Sequence, residues 1–241
     1  MLGSFLEIGF GTHDIAATYR ELQALGFAAV TAGDMRGDGY AVVCDGDIYI
    51  GLYASEQEDT TLTFVRPELE RYVRTLRRRD VEIAFASLGD QEFHELGFYD
   101  PDGQRVTLVE ARTFSPIVAD QRASSACGRF FEYSIGVRSL EVSRAFWLGL
   151  GFNTVAEGEA PYAWCRLATT GLALGLHETA ALQAGPCYAA TQFDARLEFL
   201  RAKGFSVERR AHHYASSERC ATIPIGASTR LYMIPEPRDS E

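Results

Sequence analysis

No apolar run in the 241 residues approaches the roughly 20 needed to span a bilayer, which argues against a membrane partner. The opening stretch has no basic cluster and carries Glu7 where a leader would need its apolar core, so a cytoplasmic protein is expected. Proline is scarce, 8 against 22 glycines, and with 46% hydrophobic and 23% charged residues the chain is neither disordered nor collagen-like. Cysteine is sparse and odd in number. Cys44, Cys127, Cys165, Cys187 and Cys220 stand far apart in mostly apolar surroundings, which indicates packed thiols and neither a disulfide framework nor a zinc knuckle. Positive charge is short as well: the net charge of −10 argues against nucleic acid as a partner. The deficit is one-sided, since residues 1–120 hold 21 acidic and 10 basic residues and the remainder 12 and 13. Also missing are a phosphate-cradling glycine loop, a dinucleotide fingerprint and a nucleophile elbow, which removes support for phosphoryl transfer, hydride transfer and serine hydrolysis.

What the chain does contain is a repeat. Phe5-Leu-Glu-Ile-Gly-Phe-Gly, followed by Leu25-Gly-Phe27, returns 125 residues later as Phe130-Phe-Glu-Tyr-Ser-Ile-Gly and Leu150-Gly-Phe152. Glu7 falls on Glu132 and, after a one-residue deletion, Gly51 falls on Gly175. Two homologous domains are expected at 1–115 and 128–237, joined by an irregular linker over 116–127.

Periodicity within each domain alternates between strand and helix. Residues 5–11 read as a strand, and Asp14 caps a helix with apolar positions Ile15, Tyr19, Leu22 and Leu25 that Gly26 closes. Strands follow near 28–32, 39–44 and 47–53. A second unit has a strand at 60–65, a helix opened by Pro67 and running to Arg79, and strands near 82–86, 93–99 and 104–110. Domain 2 repeats this course with helices near 139–150 and 194–203. The fold class is therefore α+β, four βαβββ modules in all.

Four such modules, with Phe98-Tyr-Asp-Pro-Asp-Gly-Gln-Arg-Val-Thr-Leu-Val-Glu110 closing the second, resemble the vicinal oxygen chelate superfamily of glyoxalases, bleomycin-resistance proteins and extradiol dioxygenases. The resemblance implies two tandem glyoxalase-like domains with cup-shaped sheets. It also implies metal ligands on the first, fourth, fifth and eighth strands of each domain. Those positions here are Glu7, Gly51, Thr60 and Thr107, and in domain 2 Glu132, Gly175, Tyr188 and Tyr232. One carboxylate per set is too few for a transition metal, so neither a metal nor another cofactor is expected.

The same positions place each carboxylate beside a glycine on a concave face, with Gly9 and Ser134 leaving room above it. Ion pairs to Arg105 and Arg230 are the bland alternative for Glu7 and Glu132. Alternation directs Phe5, Tyr49, Tyr53 and Phe64 into the first cup, and Phe130, Tyr188 and Tyr232 into the second. His177 shares the face of Gly175, as a ligand contact, a general base or a solvated rim residue. Arg74, Arg77, Arg78 and Arg79 read as a solvated helix end. The leading expectation is a metal-free protein of the bleomycin-resistance type that binds an aromatic or cationic small molecule, preferentially in domain 1. The alternative is a lyase, isomerase or dioxygenase-type enzyme with Glu7 or Glu132 as general base or metal ligand, assisted by Tyr188, Tyr232 or His177. Whether the chain acts alone or as a homodimer stays open.

Overall fold

A computed structural model describes residues 1–30, 39–56, 59–89, 93–111, 124–214, 217–226 and 229–237, without the side chains of 210–214 and 217–218. The first half contains β1 (Ser4–Thr12), α1 (Ile15–Ala24), β2 (Ala28–Val30), β3 (Tyr40–Cys44), β4 (Tyr49–Ala54), β5 (Thr60–Arg66), α2 (Leu69–Arg77), β6 (Ile83–Ser87), β7 (Glu95–Tyr99) and β8 (Arg105–Glu110). The second contains β9 (Arg129–Gly136), α3 (Leu140–Gly149), β10 (Asn153–Gly158), β11 (Trp164–Thr169), β12 (Leu172–His177), β13 (Gly185–Ala190), α4 (Phe193–Ala202), β14 (Glu208–Tyr214), β15 (Ser217–Ile225) and β16 (Thr229–Pro235). Most of the expected linker lies outside the described residues. No helix among the described residues is long and apolar enough to cross a membrane.

Each half forms one eight-stranded sheet, in the orders β2-β3-β4-β1-β5-β8-β7-β6 and β10-β11-β12-β9-β13-β16-β15-β14. Within every module the first strand runs parallel to the last, as β1 does to β4 and β5 to β8. The antiparallel pair β1·β5 then joins two modules into a sheet. Asp14 caps α1 as expected, its side chain accepting the Ala17 N–H, and Gly26 follows the helix at φ +94°. The second helix starts later than Pro67 suggests, because Glu68 adopts a left-handed conformation at its N-cap.

The apolar strand positions Ile8, Phe10, Leu62, Phe64 and Leu108 pack with the helices, and their cluster runs on without a break into Tyr133, Ile135, Leu174 and Leu176 of the second half. Phe64 meets Phe152, Phe98 meets Phe146 and Phe27 meets Tyr188, each edge-on across the boundary. Polar contacts accompany them. The Tyr133 hydroxyl is bonded to Thr60 Oγ1 at 2.6 Å and donates to Gln104 Oε1 at 2.8 Å. The turn after β7 docks on α3: Trp147 Nε1–H donates to Asp100 Oδ2 at 3.3 Å, and Asp102 accepts from the Arg138 N–H and the Ser143 hydroxyl. All five cysteines are buried thiols, none in a disulfide.

Asp100 is itself buried, and that burial pushes its carboxyl up to about 6, with nearby Asp102 adding to the effect. A carboxylate raised in the folded state stabilises most when protonated, and the contribution disappears as pH rises from the ordinary value of 3.8 through about 6. Lowering the pH from 7 to 5 is therefore expected to raise the unfolding free energy of the wild type by about 1 kcal/mol more than that of Asp100→Asn, in parallel urea titrations. Equal pH slopes for the two proteins would contradict this.

Candidate functional site

Both first strands carry one residue more than their partners. On β1, Phe5 pairs with Phe64 and Glu7 with Thr63; on β9, Phe130 pairs with Tyr188 and Glu132 with Cys187. A bulge at Leu6 and at Phe131 breaks the alternation. Phe5 and Phe130 consequently join the shared core, where the alternation of their own strands puts Phe64 and Tyr188, contrary to the expectation that all four line the cups. Phe5 stacks edge-on against Phe64 at 5.3 Å, and fully buried Tyr188 packs on Phe27 and Phe130 and faces Asp45. Thr60 also leaves the cup, since its hydroxyl is the one that meets Tyr133. The fifth-strand positions that do face inward are Thr63 and Cys187, the register partners of the two glutamates.

In the first cup the Glu7 carboxylate lies directly over Gly51, where an added Cβ would come within 2.5 Å of it. The Tyr40 hydroxyl donates to Glu7 Oε2. The space above Gly9 is taken: a Cβ there would meet Thr61 at 2.6 Å and the Tyr53 ring at 3.1 Å. Tyr53 in turn donates to Asp59, and Asp59 pairs with Arg105 at 3.4 Å. The bland alternative, an ion pair of Arg105 with Glu7, gives way to one with Asp59. Thr107 lies on the concave face, bonded to Thr61 at 3.0 Å, and alternation along β4 puts Tyr49 on the face of Gly51 and Tyr53. Among the described residues the buried Thr63 hydroxyl has no hydrogen-bond partner.

The second cup keeps the carboxylate over the glycine and changes everything around it. An added Cβ at Gly175 would stand 1.6 Å from Glu132 Oε1 and 2.8 Å from His177 Nε2. His177 Nε2 lies 2.9 Å from Glu132 Oε1, with both side chains only 2–3% exposed, so His177 is a buried partner and not a solvated rim residue. Ser134 donates to the same oxygen at 3.3 Å, which fills the room expected above the acid. Arg166 Nε approaches Oε2 at 3.4 Å. Arg230, the expected partner, pairs with Glu208 instead. In the matching hairpins Val42 stands opposite Gly51 where Arg166 stands opposite Gly175, and Tyr53 occupies the place of His177. Tyr232 faces the cup, packed with Leu182, Cys187 and Cys220 and donating to the Gln183 carbonyl, and burial pushes its phenol up to about 12. The side chains of His212 and His213 lie outside the described residues. Tyr40 and Arg166 escaped the sequence reading, although counting back from the turns at Asp45-Gly46 and Thr170-Gly171 identifies both facing strands.

Solved structures of the same architecture are numerous. A catechol 2,3-dioxygenase matches with a TM-score of 0.59 and 12% identity, covering 99% of this chain and 90% of its own. A variant of homoprotocatechuate 2,3-dioxygenase from B. fuscum, in complex with HPCA, reaches a TM-score of 0.67 at 12% identity over 98% and 72%. The Mn(II)-bound glyoxalase from Novosphingobium aromaticivorans gives 0.57 and 12% over 95% and 81%. The chain has the tandem vicinal oxygen chelate fold. No family model and no curated protein matches the sequence.

A metal of the kind that glyoxalase carries does not fit the donors present. Among the described residues no three His, Cys, Asp or Glu side chains converge. In the second cup both Glu132 oxygens are engaged, and the Arg166 guanidinium already supplies positive charge beside Oε2, where a dication would be repelled. Elemental analysis of the purified chain is expected to give well under one Zn, Fe, Mn or Ni per molecule; a stoichiometric metal lost on Glu132→Gln would overturn that. Gly175→Ala should drive the carboxylate off His177 and destabilise the fold by about 1–3 kcal/mol, read by thermal unfolding. An unchanged melting temperature would show that the cup has slack the structure lacks.

Proposed function

We propose that the second cup is an acid–base site that moves a proton at a carbon next to a carbonyl, placing the chain among lyases or isomerases of its fold. The observation that carries this reading is the hydrogen bond between buried Glu132 and His177 over Gly175. A carboxylate held at one oxygen by an imidazole is fixed in orientation, which proton abstraction requires. Glu132 takes the proton from carbon; His177 holds the carboxylate and shares the proton until it is returned. Tyr162, edge-on to His177 at 5.9 Å, and the half-buried Trp164 beside it form an aromatic wall toward solvent. The neighbouring solved structures support an enzyme; the donor set supports chemistry carried by these side chains.

The test is deuterium wash-in. Wild-type protein incubated in D2O with a panel of 2-oxoacids and 1,3-dicarbonyls is expected to speed exchange beside the carbonyl, followed by NMR. Glu132→Gln should lower that rate by about 10²–10⁴, and Glu7→Gln should leave it close to wild type. Exchange that survives Glu132→Gln, or an absence of exchange across the panel, rejects the reading.

The first cup supports a second reading, binding without turnover, on a specific observation. Three glycines pave its concave face, and neighbouring side chains lie over them: Tyr53 over Gly9, Glu7 over Gly51 and Phe85 over Gly97. Aromatic rings laid beside a carboxylate in this way suit a planar ligand, and the acidic excess of the first half favours a cationic one. Glu7→Gln is expected to weaken binding of a planar cation such as thioflavin T by about 1–3 kcal/mol in fluorescence titrations, while Glu132→Gln changes it little. Equal losses from both substitutions would remove the assignment to the first cup.

A further inference from the structure

The bulge at Phe131 does more than redirect Phe130. In a bulge two successive side chains emerge on the same face, and here Phe131 joins Glu132 on the concave side, packed against the small cluster around Tyr232. Arg166 uses both. Its guanidinium lies 3.9 Å over the Phe131 ring, Nη2 donates to the Phe131 carbonyl, and Nε faces Glu132 Oε2 as an ion pair at 3.4 Å. Stacking and a backbone bond fix a group that is ordinarily flexible.

The position of Arg166 matters as much as its rigidity. Its side chain is 26% exposed, against 2–3% for Glu132 and His177, so of the three it is the one that solvent reaches. A guanidinium has five N–H donors; of these, Nε–H faces Glu132 and one on Nη2 serves Phe131, which leaves further donors on the outer edge of a preset fork. That geometry matches a carboxylate, which accepts two parallel N–H bonds.

We infer that Arg166 is a specificity-determining residue that anchors the carboxylate of an anionic oxoacid substrate, holding its acidic C–H against Glu132. The inference rests on the acid–base reading of the same cup, and it accounts for an ion pair in place of the Val42 found at the matching position of the first cup. It is distinct from a purely structural role, in which Arg166 would serve only to compensate the buried Glu132.

Binding, read separately from turnover, tests it. Pyruvate and phenylpyruvate and their methyl esters are titrated against the full chain by saturation-transfer NMR. Each acid is expected to bind at least tenfold more tightly than its ester. That ratio should fall to near one in Arg166→Gln and recover in part in Arg166→Lys. Because Arg166→Gln leaves a buried carboxylate without its arginine, the double variant Arg166→Gln/Glu132→Gln provides a charge-matched background, in which the acid should again have no advantage. The single variant Glu132→Gln, with Arg166 intact, should keep the preference for the acid. Equal binding of acid and ester by the wild type, failure of both to bind, or a preference that persists in the double variant overturns the assignment. None of these readouts depends on proton exchange, so failure of the acid–base reading would appear in the deuterium experiment and not here.

Discussion

An extra residue in each first strand governs what the two concave faces hold. Without the bulges at Leu6 and Phe131, strict alternation would put Phe5 on the face of Glu7 and Phe130 on the face of Glu132. One ring of each repeat would then fill a cup, and the core between the halves would lose Phe5 and Phe130. The bulge separates the two tasks. It delivers the aromatic residue to the shared core and the carboxylate to the cup, within three consecutive residues.

Once a carboxylate is buried, its surroundings must compensate it, because an uncompensated buried charge costs several kcal/mol. The two halves meet that requirement differently. The first uses a phenol, with Tyr40 donating to Glu7. The second uses an imidazole and a guanidinium, His177 and Arg166, around Glu132. The glycine beneath is common to both, since only the lack of a side chain lets the carboxylate lie flat on the neighbouring strand. Partners so different in charge and proton affinity give the same backbone frame two kinds of chemistry.

Much of this was legible in the sequence. The repeat of Phe5–Gly11 at Phe130–Gly136 and the turns at Asp45-Gly46 and Asp100-Pro-Asp-Gly103 were enough for four βαβββ modules, because period-2 and period-3.6 patterns with glycine punctuation are local signals. The juxtaposition of Glu7 with Gly51 and of Glu132 with Gly175 followed from the topology. Three kinds of detail were out of reach. A bulge has no reliable local mark, so Phe5 and Phe130 were sent to the wrong face. Strand offsets, of three residues and of one, put Thr60 and Tyr188 where Thr63 and Cys187 belong. Long side chains choose partners by three-dimensional proximity, which is why Arg105 and Arg230 stood in for Tyr40 and Arg166.

The continuous apolar cluster that joins the halves lies on the faces of the sheets opposite the two carboxylates. What holds the molecule together is therefore almost disjoint from what either cup presents to a small molecule. A substitution on one concave face can alter chemistry there while the shared interior and the other concave face stay as they were. Duplication followed by fusion in this arrangement leaves each cup free to drift separately, and the exchange of Tyr53 for His177 and of Val42 for Arg166 has the form such drift would take.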